Sequence, residues 1–205
     1  MSIKLNDKLL KVNIENIPDN INTPCHFINT NIQKQLKYCI ELYTSNNCIS
    51  SYYHFFKNYV ACEFDNLNDK IGIDYGSRFS VSSSIFSLFN NKKIYAVDFY
   101  NKEIVDALNK QIDSNIEYYD IDNIDKISHV DWIMIYDVLD SYISDIPIEI
   151  DFSNRLEYLR NLLNNDGILV LTTYESTTKI KLHNLEKIIA KYFMDYKIYY
   201  NNDDG

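Results

Sequence analysis

Glycine and proline are scarce in this chain: 205 residues carry four of one and three of the other. That composition excludes collagen-like repeats and Pro- or Gly-rich low-complexity linkers. No apolar run approaches the ~20 residues needed to cross a bilayer, so no membrane span is expected. The four cysteines (Cys25, Cys39, Cys48 and Cys62) include no C-x-x-C pair. The usual zinc spacing is therefore missing, and no metal site is expected. No secretory signal is read, so the expectation is reduced thiols in a cytoplasmic protein. Positive charge is in deficit: 20 Lys and Arg stand against 29 Asp and Glu, a net charge of −9. Such a surface repels a phosphate backbone and disfavours nucleic acid as substrate, unless a local basic patch or a basic partner compensates. Two nucleotide motifs are absent. No G-x-x-x-x-G-K-[ST] occurs, and the one glycine-containing strand end lacks the G-x-G-x-x-G of a nicotinamide dehydrogenase.

The chain does have a change of pattern near Lys70. Before it, Leu10, Val12 and Ile14 alternate in an extended arm, followed by Pro18 and Pro24. Thr30 to Gln33 reads as a capping box, and Ile32, Leu36, Cys39, Ile40 and Tyr43 follow at helical spacing. The segment Ser51–Val60 is apolar almost all round and predicts a buried helix. Residues 1–65 are therefore read as an arm and helical cap. After Lys70, strands and helices alternate. Strands are predicted at Lys70–Asp74, Lys93–Tyr100, Asn115–Ile121, Asp131–Val138, Gly167–Tyr174 and Asp195–Asn201. Helices are predicted at Ser80–Asn90, Asn101–Lys110, Phe152–Leu163 and Lys179–Phe193. The Gly167–Tyr174 strand is apolar throughout and predicts burial on both faces. Alternation of this kind predicts an α/β fold, a Rossmann-like doubly wound and mostly parallel sheet over residues 66–205.

In such sheets ligands bind beyond the carboxyl ends of the strands, where the strand order reverses. Four predicted strands end in an aspartate: Asp74, Asp98, Asp120 and Asp137. Asp is common in loops and caps, so each alone has an ordinary structural reading, and the set is the signal. Asp98 lies 22 residues after Gly76, close to the spacing at which an acid accepts hydrogen bonds from a ribose. The succession IGIDYGSRFS, KKIYAVDFYNKEIV, NIEYYDID, VDWIMIYDVLDSY and LRNLLNNDGILVLTTYES resembles the class I S-adenosylmethionine-dependent methyltransferases. The resemblance covers Lys70 to about Tyr200 and implies S-adenosylmethionine as cofactor. It implies that Asp74 organises the first loop and that Gly76 lets backbone pass close to the cofactor. Asp98 would bind the ribose, with Phe99 against the adenine. Asp120 would take the adenine amino group and Ile121 the ring. Tyr136 and Asp137 would lie near the methionine portion. Substrate contacts would come from Asp140, Tyr142, Tyr174, Glu175 and the cap. The candidate bases are His129, His54, Asp137 and Glu175, with Asp137 and Glu175 the catalytic candidates and His54 a candidate substrate contact.

The pattern departs from the family in two places. Its first motif has three glycines, whereas here Arg78 and Ser80 replace the second and third. Arg78 has three readings: a contact to the methionine carboxylate, a block across the pocket, or a solvent-facing side chain. The chain also stops soon after the sixth predicted strand, where the family adds an antiparallel seventh; the arm at Leu9–Ile14 is the segment that could supply an edge strand. Within the family, the motifs for amino methylation of DNA bases, cysteine attack on cytosine and ribose methylation are all missing. The expectation is a methyltransferase acting on a small molecule or a protein side chain. The alternative is a catalytically inactive relative serving as a regulatory or scaffolding subunit, and a protein partner or homodimer stays open.

Overall fold

The computed structural model describes residues 11–16, 32–44, 46–77, 79–98, 102–112, 115–136, 148–172, 180 and 182–197. Five parallel strands form one sheet: β1 (Ile71–Tyr75), β2 (Lys93–Asp98), β3 (Ile116–Asp120), β4 (Val130–Tyr136) and β5 (Leu163–Thr172). Their order is β3-β2-β1-β4-β5. The chain winds outward from β1 to β3, then crosses back to lay β4 on the other side of β1. The reversal lies between β1 and β4.

Alternation along each strand divides the core into two layers. Ile94, Ala96, Trp132 and Met134 face one side, and Ile73, Val97, Ile133 and Ile135 face the other. Helices α1 (Ile32–Thr44), α2 (Asn46–Tyr59), α3 (Val81–Phe86) and α4 (Lys102–Ile112) supply the first layer. Helices α5 (Ile148–Leu162) and α6 (Leu182–Tyr192) supply the second, with Phe152, Leu156 and Leu159 of α5 repeating at helical spacing and each almost fully buried. Side chains of that size contribute roughly 1.5–3 kcal/mol each when removed from water. The cap helices are part of this core: Leu36, Ile40, Phe56 and Val60 pack in the same cluster as Phe86, Ile94 and Trp132.

Trp132 organises the first layer. Its indole nitrogen donates to Asn91 Oδ1 at 2.9 Å, and Asn91 Nδ2 donates to the Phe86 carbonyl at 2.9 Å. Phe56 meets it edge-on at 4.9 Å. Its ring also occupies the space beside Gly72: a Cβ there would lie 1.8 Å from Trp132 Cε2. At the amino edge of the sheet, Asp131 ties three strands together. It accepts from the Ile71 amide (2.9 Å) and Asn164 Nδ2 (3.1 Å), and it pairs with Lys70.

Several sequence expectations are corrected. The helix read at Ser51–Val60 starts at Asn46 and buries one face only, since His54, Lys57 and Asn58 are exposed. Pairing against the sheet needs only one stripe of the helix. The helix at Ser80–Asn90 is a short α3 followed by a 3-10 turn at Ser87–Phe89. Strand β5 is half-buried rather than buried on both faces, because it is an edge strand among the described residues. Residues 195–197, the described start of the expected sixth strand, are irregular, and Asp195, Tyr196 and Lys197 are exposed with no strand beside them among the described residues. The remainder of that expected strand lies outside the described residues, as does Leu9–Leu10 of the arm. Ile14–Asn16 form a 3-10 turn, and the Asn13 amide docks on Gln111 of α4 at 2.8 Å. Cys62 is an exposed free thiol. Among the described residues no helix is long and apolar enough to cross a membrane.

The Gly72–Trp132 contact predicts a test of the fold. The indole is fully buried and hydrogen-bonded, so it cannot move aside for a methyl group. Gly72→Ala is expected to cost roughly 3 kcal/mol in urea unfolding, the upper part of the range for overpacking, although Ala normally favours a strand interior over Gly. An unchanged unfolding midpoint would mean that the ring is not held there.

Candidate functional site

The first strand leaves the sheet through a tight loop. Gly76 takes φ 79°, a left-handed conformation that suits glycine. Its amide and that of Ser77 both donate to the Val97 carbonyl, at 2.8 and 3.2 Å, which folds the loop back over the end of β2. The Ser80 amide donates to the Ser77 carbonyl at 2.8 Å. Ser80 then starts α3 at φ 59°, ψ 21°. The position that is glycine in the family motif thus retains the left-handed conformation, although the residue is serine.

Asp74 sits one residue inside the end of β1 rather than at its tip, and it is 2% exposed. One carboxylate oxygen, Oδ2, accepts from both Ser82 Oγ (2.6 Å) and Ser83 Oγ (2.5 Å). The two hydroxyls tie the strand to the first turn of α3. Burial pushes the Asp74 carboxyl up to about 6; the serine hydrogen bonds oppose this, and the negative charge of Asp98 adds to it.

Asp98 and Asp120 are direct register partners across β2 and β3. Asp98 ends its strand beside Val97, whose carbonyl receives the loop. The Tyr118 hydroxyl donates to the Asp98 carbonyl at 2.8 Å. Asp120 caps the 3-10 turn Ile121–Lys126, accepting from the Asp122 amide at 3.1 Å. Tyr136 ends β4 across the reversal point. Its ring packs on Tyr52 (4.4 Å, tilted) and edge-on to Phe55 (5.8 Å), both from α2. Behind β1, Tyr75 faces the other layer, where Arg155 Nη1 approaches its hydroxyl at 3.4 Å and Arg155 Nε bonds Asp151.

Six sequence-predicted site residues therefore come to the carboxyl edge of β1–β4: Asp74, Gly76, Asp98, Asp120, Ile121 and Tyr136. His54 lies on the exposed side of α2 with its ring edge-on to Tyr53 at 5.7 Å. His129 precedes β4 at the amino edge, far from this set. There it lines a cleft of about 740 Å³ with Arg160, Asn161, Leu163, Asn164 and Asn165. Arg78, Phe99, Asp137, Asp140, Tyr142, Tyr174 and Glu175 lie outside the described residues. Sequence reasoning missed the partners of Asp74. The serine run after Ser80 was the available signal, because a buried carboxylate requires donors and a helix start places consecutive hydroxyls near it.

The set fits an adenosyl ligand. Neighbouring carboxylates beside a backbone loop suit hydroxyl and amino donors, and Ser77 Oγ and Ser80 Oγ are buried without a partner. The chain has the Rossmann-like fold of the class I S-adenosylmethionine-dependent methyltransferases. Solved structures bear this out. A putative S-adenosylmethionine-dependent methyltransferase from Streptococcus mutans superposes with a TM-score of 0.53 at 15% identity, over 72% of this chain and 39% of that one. The 1,6-didemethyltoxoflavin-N1-methyltransferase of Burkholderia thailandensis, solved with 1,6-didemethyltoxoflavin and S-adenosylhomocysteine, gives 0.52 at 11% identity, over 76% and 71%. A further putative methyltransferase, complexed with S-adenosylhomocysteine, gives 0.50 at 15% identity, over 65% and 38%. The chain thus spans about two fifths of the Streptococcus mutans protein. No protein-family model matches the chain, and no curated protein sequence matches it.

The buried carboxylate makes a pH-dependent prediction. The native state holds the Asp74 proton more tightly than the unfolded chain, whose value is 3.8, because the native value is about 6. The contribution of Asp74 to stability is therefore full below the unfolded value and is lost as pH rises through about 6. Asp74→Asn removes that titration. Relative to the unaltered chain, the variant should gain on the order of 3 kcal/mol between pH 4 and pH 7.5 in urea unfolding. A difference that does not change with pH would mean that the carboxylate is solvated.

Proposed function

We propose that this chain is an S-adenosylmethionine-dependent methyltransferase whose acceptor is a small molecule or a protein side chain. One observation carries the reading: Asp98 and Asp120 stand side by side at the ends of β2 and β3, on the β2 side of the Gly76 loop that leaves β1. Acceptors on adjacent strands suit the hydroxyls of a ribose and the amino group of an adenine. When bound, S-adenosylmethionine supplies an electrophilic methyl group for in-line displacement.

The remaining roles belong to the chain. Asp98 accepts from the ribose hydroxyls and Asp120 from the adenine amino group, with Phe99 assigned to the adenine face and Ile121 to the ring. Asp74 holds α3 against β1 and so fixes the loop that starts at Gly76. Tyr136 bounds the methyl-donor end of the site, and the aromatic face of α2 supports it. Residues 1–65 form the cap from which acceptor contacts come, together with Tyr142, Tyr174 and His54. Asp137 and Glu175 are assigned to proton removal from the acceptor or to its positioning. A small-molecule acceptor finds support in the Burkholderia thailandensis neighbour, and the net charge of −9 speaks against nucleic acid.

Calorimetric titration with S-adenosylmethionine and S-adenosylhomocysteine tests this. The unaltered chain should bind both in the micromolar range. Asp98→Ala should weaken binding about 30- to 100-fold, the loss of hydrogen bonds to a charged acceptor. No heat and no thermal shift at millimolar ligand would sink the proposal and favour a scaffolding or regulatory role.

A further inference from the structure

The cleft at the amino edge lies at the opposite end of β4 from Tyr136, about 20 Å away for a strand of this length. The acids and the Gly76 loop belong to the other edge. His129, Arg160, Asn161, Leu163, Asn164 and Asn165 line the cleft, and its volume of about 740 Å³ lies within the range of small-molecule sites. Three separate stretches of chain build it: the entry to β4, the last turn of α5 and the start of β5.

Each stretch is shaped at that place. Asn164-Asn165-Asp166-Gly167 is a run of turn formers. From the pair Val130–Leu163 to the pair Trp132–Ile168, β4 advances two residues while β5 advances five, so residues 164–167 swing out of the ladder. The swing is tight: a Cβ on Gly167 would lie 3.0 Å from the Asn164 carbonyl oxygen and from Leu163 Cδ2. Asn164 is fixed there by its hydrogen bond to Asp131. His129 enters β4 at φ 48°, an uncommon backbone for a residue with a side chain. Arg160 is half-buried, with its guanidinium 5.9 Å from the centre of the Phe193 ring.

Charge says what the cleft takes. The chain carries a net charge of −9, yet none of the six lining residues is an acid. The nearby carboxylate of Asp131 is occupied by the Ile71 amide, Asn164 and Lys70. Glu157, three residues before Arg160, accepts from the Tyr192 hydroxyl at 3.5 Å. No ion pair among the described residues uses Arg160. A cation in the last turn of a helix has an ordinary role against the helix carbonyls, but that role requires neither a cleft nor the amides around it. A guanidinium presents paired donors that match an oxyanion, and the carboxamides of Asn161 and Asn165 add donors without charge. Leu163 contributes an apolar wall, which suits an organic body behind the anionic group.

We propose that this cleft binds a small organic oxyanion, a carboxylate or a phosphate ester, with Arg160 as its charged anchor and His129, Asn161 and Asn165 around it. The site is separate from the methyl-transfer edge, and the inference does not rest on the S-adenosylmethionine reading.

Nuclear magnetic resonance titration of the isotope-labelled chain at constant ionic strength tests this. The probes are benzoate, phenyl phosphate, phenol and inorganic phosphate. One or both organic anions should move the signals of residues 129 and 160–165 saturably in the millimolar range, and the tighter of the two tells carboxylate from phosphate ester. Phenol, which lacks the anion, and inorganic phosphate, which lacks the organic body, should each bind at least tenfold more weakly. Arg160→Gln should weaken the organic anion about tenfold or more, as loss of hydrogen bonds to a charged group does. His129→Gly relieves the positive φ, so its unfolding temperature should hold or rise while affinity falls. No saturable movement at those residues overturns the inference. So does equal binding of phenol or of inorganic phosphate, and so does an affinity unchanged in both variants.

Discussion

Trp132 packs against the bare backbone of Gly72, and much of the molecule is built outward from that contact. The indole can enter β4 beside β1 only because the neighbouring strand presents no side chain there. Once in place it offers an edge to Phe56 of α2 and to Phe86 of α3, and a hydrogen bond to Asn91. Two helices and the turn into β2 are thereby registered against the sheet. Four residues before Phe56, one turn back along α2, Tyr52 reaches Tyr136 at the other end of the same strand. The packing of one ring at the amino side of β4 thus carries through to the functional edge.

That edge is an electrostatic arrangement more than a cavity. Asp74 is desolvated and held by two hydroxyls, while Asp98 and Asp120 are less buried and share a register position. Burial makes Asp74 hold its proton more tightly, and the negative charge of Asp98 adds to the effect.

The loop departs from the glycine-rich form in sequence but less so in shape. Ser80 keeps the left-handed backbone that glycine would adopt, and Gly76 keeps the turn off β1. The substitution adds side chains to a place where backbone usually suffices. Ser80 there, and Ser77 earlier in the loop, carry buried hydroxyls without a partner.

Local pattern alone determined a good deal here. Five of the six predicted strands appear within a few residues of their expected bounds, because alternation and strand-ending aspartates are properties of neighbouring residues. The acids Asp74, Asp98 and Asp120 were legible for the same reason: each follows an apolar run that must be a strand. The sixth predicted strand, Asp195–Asn201, is absent over its described residues 195–197, since a strand depends on a partner and pattern cannot supply one. Tertiary structure decided what depends on distant residues meeting. The strand order, the half-burial of β5 at an edge, the collision that reserves Gly72 for Trp132 and the two serines that hold Asp74 all join positions remote in the chain or in the turn between elements. Sequence encodes such contacts only through the packing of the whole, because burial and hydrogen-bond satisfaction are settled among side chains that periodicity does not relate.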